Sequence, residues 1–303
     1  INTVFIFRTT RERLMNKFNL LNINFGRAAI YFILFLFAFI YLAPLYVMFT
    51  TSLKDIEEIR SGNLMALPID PTLYAWKKAW ASACTGSECK GLAPYFWNSV
   101  RIVFPAVIIS TILGAFNGYA LAKWKFKGSE FLFGALLFGC FIPFQVILLP
   151  MAKLLGALGL ANTVTGLVLV HVIYGIAFTT LFFRNYYVGI PTELVKAAKL
   201  DGASFLKIFR HIFIPLSTPI FVVTIIWQFT QIWNDFLFGV VYSGSGTQPI
   251  TVALNNLVNT SVGGKEYNVD MAAAIIAALP TLIVYIIAGK YFVRGLTAGA
   301  VKG

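Results

Sequence analysis

Six long uncharged stretches alternate along the chain with segments that carry the charged residues. The stretches are 19 to 30 residues long, are rich in Leu, Ile, Val and Phe, and comprise residues 28–53, 102–122, 131–152, 154–183, 211–234 and 271–289. An α-helix needs about 20 apolar residues to cross the hydrocarbon of a bilayer. The pattern therefore predicts an all-α, polytopic membrane protein with six transmembrane helices.

A seventh uncharged stretch, residues 236–264, is predicted to be a loop outside the membrane. Residues 243–249 read Ser-Gly-Ser-Gly-Thr-Gln-Pro, and these turn-forming residues would leave backbone groups without hydrogen-bond partners in lipid. The third span is predicted to be interrupted by Pro143 and Pro150. The helices after the first are predicted at residues 98–122, 131–152, 163–183, 219–241 and 271–292.

The predicted helices divide the chain into segments. In chain order these are a basic N-terminal segment, the first transmembrane helix, a loop expected to fold as a small cap, a five-helix core and a tail, at residues 1–27, 28–53, 54–95, 96–293 and 294–303. The core contains one further long loop, residues 184–217.

Composition and charge agree with a membrane protein. Hydrophobic residues make up 58% and charged residues 12% of the chain, whereas soluble domains carry about 25% charged residues. The net charge of +12 by itself would fit a nucleic-acid partner. However, 16 of the 24 basic residues fall on one side of the predicted topology and 7 on the other. Since cytoplasmic loops are enriched in Lys and Arg, both termini are predicted to be cytoplasmic, with no nucleic acid involved.

The cysteines are unevenly placed. Cys84 and Cys89 lie in the predicted cap, with four residues between them in a turn that contains Gly and Ser. We favour a local disulfide over two free thiols, and a metal site would need more ligands than this loop offers. Cys140 lies within the third span and is interpreted as a small apolar packing residue.

The loop at residues 184–217 is predicted to form two short amphipathic helices. Pro191 suits the first turn of a helix, and Glu193 is favourable at the positive end of the helix dipole. The apolar stripe of this first helix consists of Leu194, Ala197, Ala198 and Leu200.

A sharp change of direction is predicted between the two helices at Gly202, because glycine adopts backbone conformations that are strained for other residues. Ser204 can cap the second helix, and Pro215 ends it. The apolar residues of the second helix face one side, and they are Phe205, Ile208, Phe209 and Ile212.

This loop resembles the EAA loop of binding-protein-dependent ABC importer permeases. The resemblance covers Pro191 to Ser204, Pro-Thr-Glu-Leu-Val-Lys-Ala-Ala-Lys-Leu-Asp-Gly-Ala-Ser, and continues through Phe209, Ile212, Pro215 and Leu216. Residues 292–303 are similar to the tail of maltose-type carbohydrate permeases. Residues 52–54, Ser-Leu-Lys, and 233–236, Trp-Asn-Asp-Phe, are similar to other landmarks of that group.

The resemblance implies a type I ABC importer permease fold in a bacterial inner (cytoplasmic) membrane. The chain would form half of the translocation pathway for a sugar, as a heterodimer with a second homologous permease subunit. Two cytoplasmic ATP-binding subunits and a periplasmic sugar-binding protein would serve it. The ATPase subunits would bind ATP and Mg, so this chain would be no enzyme and would need no catalytic residue, cofactor or metal.

In this family the loop docks in a cleft of the ATPase, which implies that residues 191–216 couple ATP hydrolysis to transport. The coupling residues would be Glu193, Lys196, Ala197, Ala198, Asp201, Gly202 and Ala203. Small residues allow close approach, and charges set the register. Lys196 stands where the family usually has Glu, so we expect a shifted ionic contact. The alternative is a helix pair lying on lipid.

Polar residues in the spans are candidates for the transport pathway, because polar groups in hydrocarbon face partners or water. Most lie in the fifth span, namely Gln228, Gln231, Asn234 and Asp235. Three of them follow i, i+3, i+7 spacing and share a helix face. Trp227 and Trp233 add rings that suit the C–H faces of a sugar. Alternatively, these residues bond helices of the second subunit. Asp235 lies near the external end of the span and is interpreted as a structural or gate residue.

Weaker candidates occur in other spans. They are Asn117 in the second span and Gln145 beside Pro143 in the third. A break at Pro143 could expose backbone carbonyls to a cavity or be a simple packing kink. His171 in the fourth span is interpreted as a structural donor rather than a proton relay.

Three stretches indicate the cargo. Residues 84–98, 141–145 and 182–187 resemble permeases of glucose/mannose-type importers, which implies a monosaccharide such as glucose or mannose. Another sugar or an oligosaccharide is the alternative. A different class, the ion-coupled secondary transporter, predicts charges deep in the spans and an inverted repeat, and the sequence has neither apart from Asp235 near a span end.

Overall fold

The computed structural model describes residues 25–86, 88–124, 126–260 and 264–300. The predicted segment 1–27 lies almost wholly outside the described residues. Within the described ranges every regular element is a helix. The helices are α1 Phe25–Ser52, α2 Ile56–Arg60, α3 Tyr74–Ala81, α4 Ala93–Lys123, α5 Ser129–Phe141, α6 Phe144–Ala157, α7 Val164–Val188, α8 Thr192–Leu200, α9 Phe205–Leu216, α10 Thr218–Trp233, α11 Leu237–Tyr242, α12 Ile250–Asn259 and α13 Tyr267–Ala300.

Four helices are each long and apolar enough to cross a membrane, and they are α1, α4, α7 and α13. Two helix pairs, α5 with α6 and α9 with α10, satisfy the same test together but are bent. If each bent pair is one span, the described residues contain the six spans that the sequence predicts.

The third predicted span is bent sharply. The axes of α5 and α6 meet at 104°, because Pro143 lacks a backbone N–H and because the residue before a proline avoids helical angles. Ile142 accordingly has φ −67° and ψ 121°. The predicted interruption at Pro143 is therefore present, whereas the interruption predicted at Pro150 is wrong, because Pro150 is accommodated inside α6.

The fifth predicted span, residues 219–241, is also interrupted, by a turn at residues 234–236 between α10 and α11. The carboxylate of Asp235 accepts hydrogen bonds from the backbone N–H groups of Phe238 and Gly239, at 3.3 and 3.1 Å. A side chain that satisfies the free N–H groups of a first turn favours the start of a new helix.

The helix α12 forms within the stretch that was predicted to be a loop. Val252, Ala253 and Leu257 are buried on its inner side, and the backbone N–H of Ile250 donates to Ser99 Oγ of α4 at 2.8 Å. The sequence pattern does not reveal α12, because its apolar face is short and directly follows the turn-forming residues 243–249.

The contact between α4 and α7 forms the centre of the bundle. Gly114 and Gly118 of α4 lie against Thr179 and Phe183 of α7. A Cβ atom at Gly118 would lie 2.7 Å from the Cβ atom of Phe183. The two helices therefore depend on small residues for their close approach, as helices in membranes commonly do.

The predicted cap forms at one end of the bundle, which we name the cap end. Trp76 Nε1 in α3 donates to Ser52 Oγ at the end of α1, at 3.1 Å. Lys78 forms an ion pair with Glu266, which precedes α13. The cap therefore connects the first and last long helices of the described chain.

The two cysteines of the cap form a disulfide. Cys84 and Cys89 are bonded, and the backbone N–H of Gly86 between them donates to Thr260 Oγ1 after α12, at 3.0 Å. Cys140 is a free cysteine and is half-buried at the end of α5.

The opposite end of the bundle, named the loop end, carries α8 and α9. The helix α4 reaches from one end to the other: Asn98 near its start donates to the backbone oxygen of Gly246, at 2.8 Å. Lys123 at its last turn donates to the backbone oxygen of Ile190, at 2.5 Å. The helix α4 therefore contacts both ends of the bundle.

The first and last helices are peripheral. The membrane-length part of α1 has none of its residues buried, so most of its surface is available to lipid or another chain. The helix α13 extends to Ala300. The predicted tail at residues 294–303 therefore begins as a continuation of the last helix, and residues 301–303 lie outside the described residues.

Candidate functional site

The loop end contains the two predicted amphipathic helices and the turn between them. Gly202 has a φ of 75°, in the left-handed region that strains other residues. The helix α9 contains a widened, π-helical turn at residues 209–213. Ser204 occupies the N-cap position of α9 but makes no capping side-chain hydrogen bond, contrary to the prediction. Because Ser204 is exposed, water can satisfy the first N–H groups instead.

The inner faces of α8 and α9 pack into an aromatic cluster. Val195 of α8 is buried there together with Ile208 and Phe213 of α9. The cluster also includes Tyr119 of α4 and Tyr187 of α7. The predicted apolar face of the second helix belongs to it as a whole, with Phe205, Ile208, Phe209 and Ile212 all in contact with the cluster.

The outer faces form what we name the loop-end surface. Its exposed residues are Glu193, Leu194, Lys196, Ala197, Leu200, Asp201, Gly202 and Leu206. Leu200 is 90% and Leu206 62% exposed. Apolar side chains surrounded by charges are typical of protein–protein contact sites.

The predicted apolar stripe of α8 is divided between its two sides. Leu194 and Leu200 point outward, whereas Val195 and Ala198 turn toward the bundle. Ala203 is half-buried at the turn. Sequence analysis did not single out Val195, although its three-residue spacing from Ala198 on a helix is a signal for a shared face.

Residues at the end of α4 contact the inner side of the loop end. Trp124 Nε1 donates to the hydroxyl of Tyr119, at 2.9 Å. The Nζ atom of Lys199 lies 3.9 Å from the centre of a Trp124 ring. The sequence pattern does not point to Tyr119 or Trp124, because both lie far along the chain from the loop that they contact.

A second candidate site is a cavity of about 730 Å³ between α5, α6, α7, α10 and α11, which we name the central cavity. Aromatic side chains form much of its wall, including Tyr174, Phe178 and Trp227. It brings together four predicted pathway residues, Gln228, Gln231, Asn234 and Asp235. Aromatic walls with a few polar groups are typical of sites for small molecules.

Gln228 connects three helices at the edge of the central cavity. Its side chain is 2% exposed, and its Nε2 atom donates to Ser110 Oγ of α4 at 2.7 Å. It also lies against Gly175 of α7, where a Cβ atom would collide with it. Gln228 therefore bonds helices within this chain, while Gln231 and Asn234 are exposed.

Asp235 lines the central cavity and also forms hydrogen bonds within the fold. Its carboxylate binds the first turn of α11, and its backbone oxygen accepts a hydrogen bond from Thr251 Oγ1 at 2.5 Å. His171 Nε2 lies 3.9 Å from Asp235 Oδ2, and the His171 ring contacts that of Phe238. Asp235 thereby positions the turn that closes one side of the cavity.

Two weaker candidates lie apart from these groups. Asn117 Nδ2 is 3.5 Å from Thr180 Oγ1, in the contact between α4 and α7. Gln145 is exposed, and its neighbours Pro143 and Phe144 line the central cavity instead. At the break between α5 and α6, Pro143 and Phe144 therefore face the central cavity, while Gln145 does not line it.

The two tryptophans of the fifth span lie in different environments. Trp233 is buried and donates to the backbone oxygen of Ala277 at 2.9 Å, so it joins α10 to α13. Trp227 lines the central cavity and packs against Phe178, with ring centres 4.9 Å apart and the ring planes tilted by 40°. Cys140 also lines the cavity, in addition to the packing role that the sequence predicts.

Residues 106–297 match a family described as binding-protein-dependent transport system inner membrane component. The chain belongs to this family. A probable ABC transporter permease protein of Pyrococcus horikoshii is 43% identical over 91% of this chain and 98% of its own length. The xylose/arabinose import permease protein of Haloferax volcanii is 31% identical over 92% of this chain and 94% of its own length.

A solved structure has the same fold. It is a bacterial ABC transporter involved in the import of the acidic polysaccharide alginate, and the TM-score is 0.77 at 22% sequence identity. The similarity covers 89% of this chain and 97% of that chain. The predicted all-α fold of an ABC importer permease is therefore confirmed.

Both candidate sites of this permease lie within the matched segment. The loop-end surface extends from Glu193 to Leu206, and the central cavity uses residues 140–144, 171–178 and 227–238. The cap precedes the segment, so the family match rests on the parts that form the two sites.

Proposed function

We propose that this chain is the permease subunit of an ATP-driven sugar importer and forms half of its translocation pathway. The observation that carries the proposal is the loop end, where two short helices diverge at Gly202 and present the loop-end surface. Their inner faces are packed against α4 and α7. A partner that pushes on such a surface moves the helices behind it, which is what coupling requires.

The charges of the loop-end surface support docking to an ATP-binding subunit. Glu193, Lys196 and Asp201 are exposed on this surface, and Lys199, although also exposed, lies over the ring of Trp124. Because Lys196 adds a positive charge to this surface, we expect the ionic contact with the ATP-binding subunit to be shifted, with an acidic group facing Lys196. Charges of this kind set the register of a contact, while Leu200 and Leu206 supply its apolar area.

The proposed assembly contains a second homologous permease, two ATP-binding subunits that bind ATP and Mg, and a periplasmic sugar-binding protein. The loop end and both termini face the cytoplasm, supported by the excess of basic residues on that side. The cap end faces the periplasm, where the Cys84–Cys89 disulfide suits an oxidising compartment. The unburied length of α1 supports contact with the second permease and lipid.

The cargo that we propose is a monosaccharide such as glucose or mannose, and it passes through the central cavity. The Trp227 ring can cover the C–H face of a sugar, and the amides of Gln231 and Asn234 can bond its hydroxyls. The relative that imports xylose and arabinose, and the structural relative involved in alginate import, support a carbohydrate. The preference for a hexose rests on the resemblance of three sequence stretches.

Uptake of radiolabelled sugar by the reconstituted importer tests the coupling role. Asp201→Lys, or deletion of residues 196–204, should abolish ATP-dependent uptake while membrane insertion stays intact. Asp70→Lys is the matched control, since it makes the same charge change at an exposed site of the cap. Full uptake by both loop variants, or uptake that survives ATP depletion and collapses with the proton gradient, would refute the proposal.

A pair of glutamines tests the pathway. Gln231→Ala should raise the sugar concentration needed for half-maximal uptake, because it removes an amide that faces the central cavity. Gln145→Ala removes the same group outside that cavity and should have no effect. Equal effects of the two substitutions would exclude the central cavity as the sugar pathway.

A further inference from the structure

The contacts of Trp124 set it apart from other residues at the loop end. It is the first residue after α4, and its ring touches both short helices at once. From α8, the Lys199 Nζ atom lies 3.9 Å from a ring centre. From α9, the Phe205 ring lies with its centre 4.9 Å away, edge to face. A cation over an aromatic face and an edge-to-face ring pair are both attractive.

A hydrogen-bonded chain continues from Trp124 into the bundle. Its Nε1 atom donates to the Tyr119 hydroxyl, which in turn donates to the backbone oxygen of Phe205, at 3.2 Å. Tyr119 is fully buried. A buried hydroxyl that both accepts and donates has a fixed orientation, because a rotation would break one of the two bonds.

The widened turn of α9 fits around Tyr119. The Tyr119 ring contacts the rings of Phe205, Phe209 and Phe213, with centres 4.7, 5.1 and 4.6 Å away. Residues four apart drift around a regular α-helix, whose turn is 3.6 residues. The π-helical turn over residues 209–213 takes up this drift, so three rings at four-residue intervals close on one side chain.

We propose that Trp124, through Tyr119, is the positioning residue that fixes the angle between α8 and α9 and thereby sets how much sugar moves per ATP hydrolysed. The inference rests on the proposed coupling function. Gly202 lies in the turn between the two short helices. A Cβ atom added there would meet nothing within 4 Å, so packing at the turn does not fix the angle between α8 and α9. The contacts with the end of α4 supply that restraint.

The ratio of sugar taken up to ATP hydrolysed tests the proposal in the complete importer, reconstituted in vesicles with its partner subunits. Trp124→Ala should lower this ratio at least about fivefold, the lower end of typical coupling effects between sites. ATP hydrolysis itself should continue. Trp124→Phe keeps a ring for Lys199 and Phe205 and should restore part of the ratio. Trp97→Ala is the matched control, an exposed tryptophan at the other end of α4.

A double-mutant cycle separates positioning from simple loss of structure. Tyr119→Phe and Trp124→Phe each remove one end of the same hydrogen bond, so the double variant should be no worse than the poorer single variant. Additive losses, or a normal ratio in Trp124→Ala, would overturn the proposal. If Trp124→Ala does not assemble, the two phenylalanine variants alone decide.

A distance measurement supplies a readout that stability does not control. Spin labels at Leu194→Cys in α8 and Leu206→Cys in α9, both exposed sites, in a Cys140→Ser background, should give a broad distance distribution in Trp124→Phe and a narrow one in Trp97→Phe. An unchanged distribution would contradict the restraint. Absence of ATP-driven uptake in the unaltered importer would instead refute the proposed function, so the two failures are distinguishable.

Discussion

Single glycines decide how closely the central helices approach. At Gly118 an added Cβ atom would lie 2.7 Å from a backbone nitrogen, that of Arg184, and a backbone cannot move aside as the end of a side chain can. Gly134 in α5, in contrast, has nothing within 4 Å of the same position. A comparison of substitutions at Gly118 and Gly134 therefore distinguishes the effect of close packing on stability from the effect of helix propensity.

We predict opposite effects for alanine at these two glycines. Gly118→Ala should destabilise the protein by about 1–3 kcal/mol, as overpacking does. Gly134→Ala should be neutral or stabilising by up to about 1 kcal/mol, because alanine restricts the unfolded chain and favours helix. Thermal unfolding in detergent measures both. A loss of stability for Gly134→Ala as large as that for Gly118→Ala would contradict the explanation.

The polar residues of the central cavity show the same dependence on neighbours. Gln228 and Gln231 have the same side chain and share a helix face, yet one donates to Ser110 and the other is exposed. Residue type therefore locates candidates, and the facing helix determines which of them is free to meet a ligand.

At the scale of elements, the turn between α8 and α9 depends on backbone conformation alone. Gly202 combines a φ of 75° with open space around the position of a side chain. Within the folded chain the cost of a substitution there comes from strain, since no atom of this chain lies within 4 Å of an added Cβ atom. The left-handed conformation costs most residues about 1–2 kcal/mol, and less for Asn.

Substitutions of Gly202 should follow this order. Gly202→Val should weaken binding of the ATP-binding subunit, because the strain of about 1–2 kcal/mol favours a different angle between the helices. Gly202→Asn should keep most of the affinity. The measurement is capture of the ATP-binding subunit by tagged permease over a range of concentrations. Equal affinity for the two variants would rule out strain as the cause.

The cap is joined to α13 by an ion pair that responds to pH. The hydrogen bond to the Glu266 carboxylate raises the pKa of Lys78 above its ordinary value. A raised pKa in the folded state means that the pair stabilises the protein below the ordinary lysine pKa. That stabilisation is lost as the pH rises through the folded-state pKa.

The substitution Glu266→Gln should therefore lower the stability of the protein only at pH values below the alkaline range. We expect it to destabilise the protein by less than about 1 kcal/mol near neutral pH, since both side chains are partly exposed. The difference from the unaltered protein should shrink above the lysine pKa. Thermal unfolding at neutral pH and at about pH 11 checks this. A difference that grows with pH would contradict the assignment.

At the scale of the whole molecule, α4 links the cap end to the loop end. The two ends differ in chemistry, with a disulfide at one and the exposed leucines of the loop-end surface at the other. The proposed orientation places these ends in different compartments. It follows that thiol reagents can tell the two ends apart.

Cysteine labelling in intact cells should reveal the orientation. In a Cys140→Ser background, Ile69→Cys in the cap should react with a membrane-impermeant thiol reagent without permeabilisation, because Ile69 is 80% exposed. Leu200→Cys should react only after the membrane is opened. The reverse pattern would invert the proposed topology and remove the basis for cytoplasmic coupling.

The sequence by itself determined the features that depend on neighbouring residues. Blocks of apolar residues specify helices in lipid, since the backbone has no other partner there. Gly202 specified a turn, and the residues around it carried the family resemblance. These signals depend only on residues that are close together in the sequence, so they can be recognised without the tertiary structure.

Only the tertiary structure decided how distant segments meet. The 104° bend at Pro143, the start of α11 at Asp235 and the burial of α12 depend on what packs against them. The central cavity, the Gln228–Ser110 bond and the contacts of Trp124 join residues far apart in sequence. The apolar pattern does not encode such pairs, because in lipid many helix faces are equally apolar and close packing selects among them.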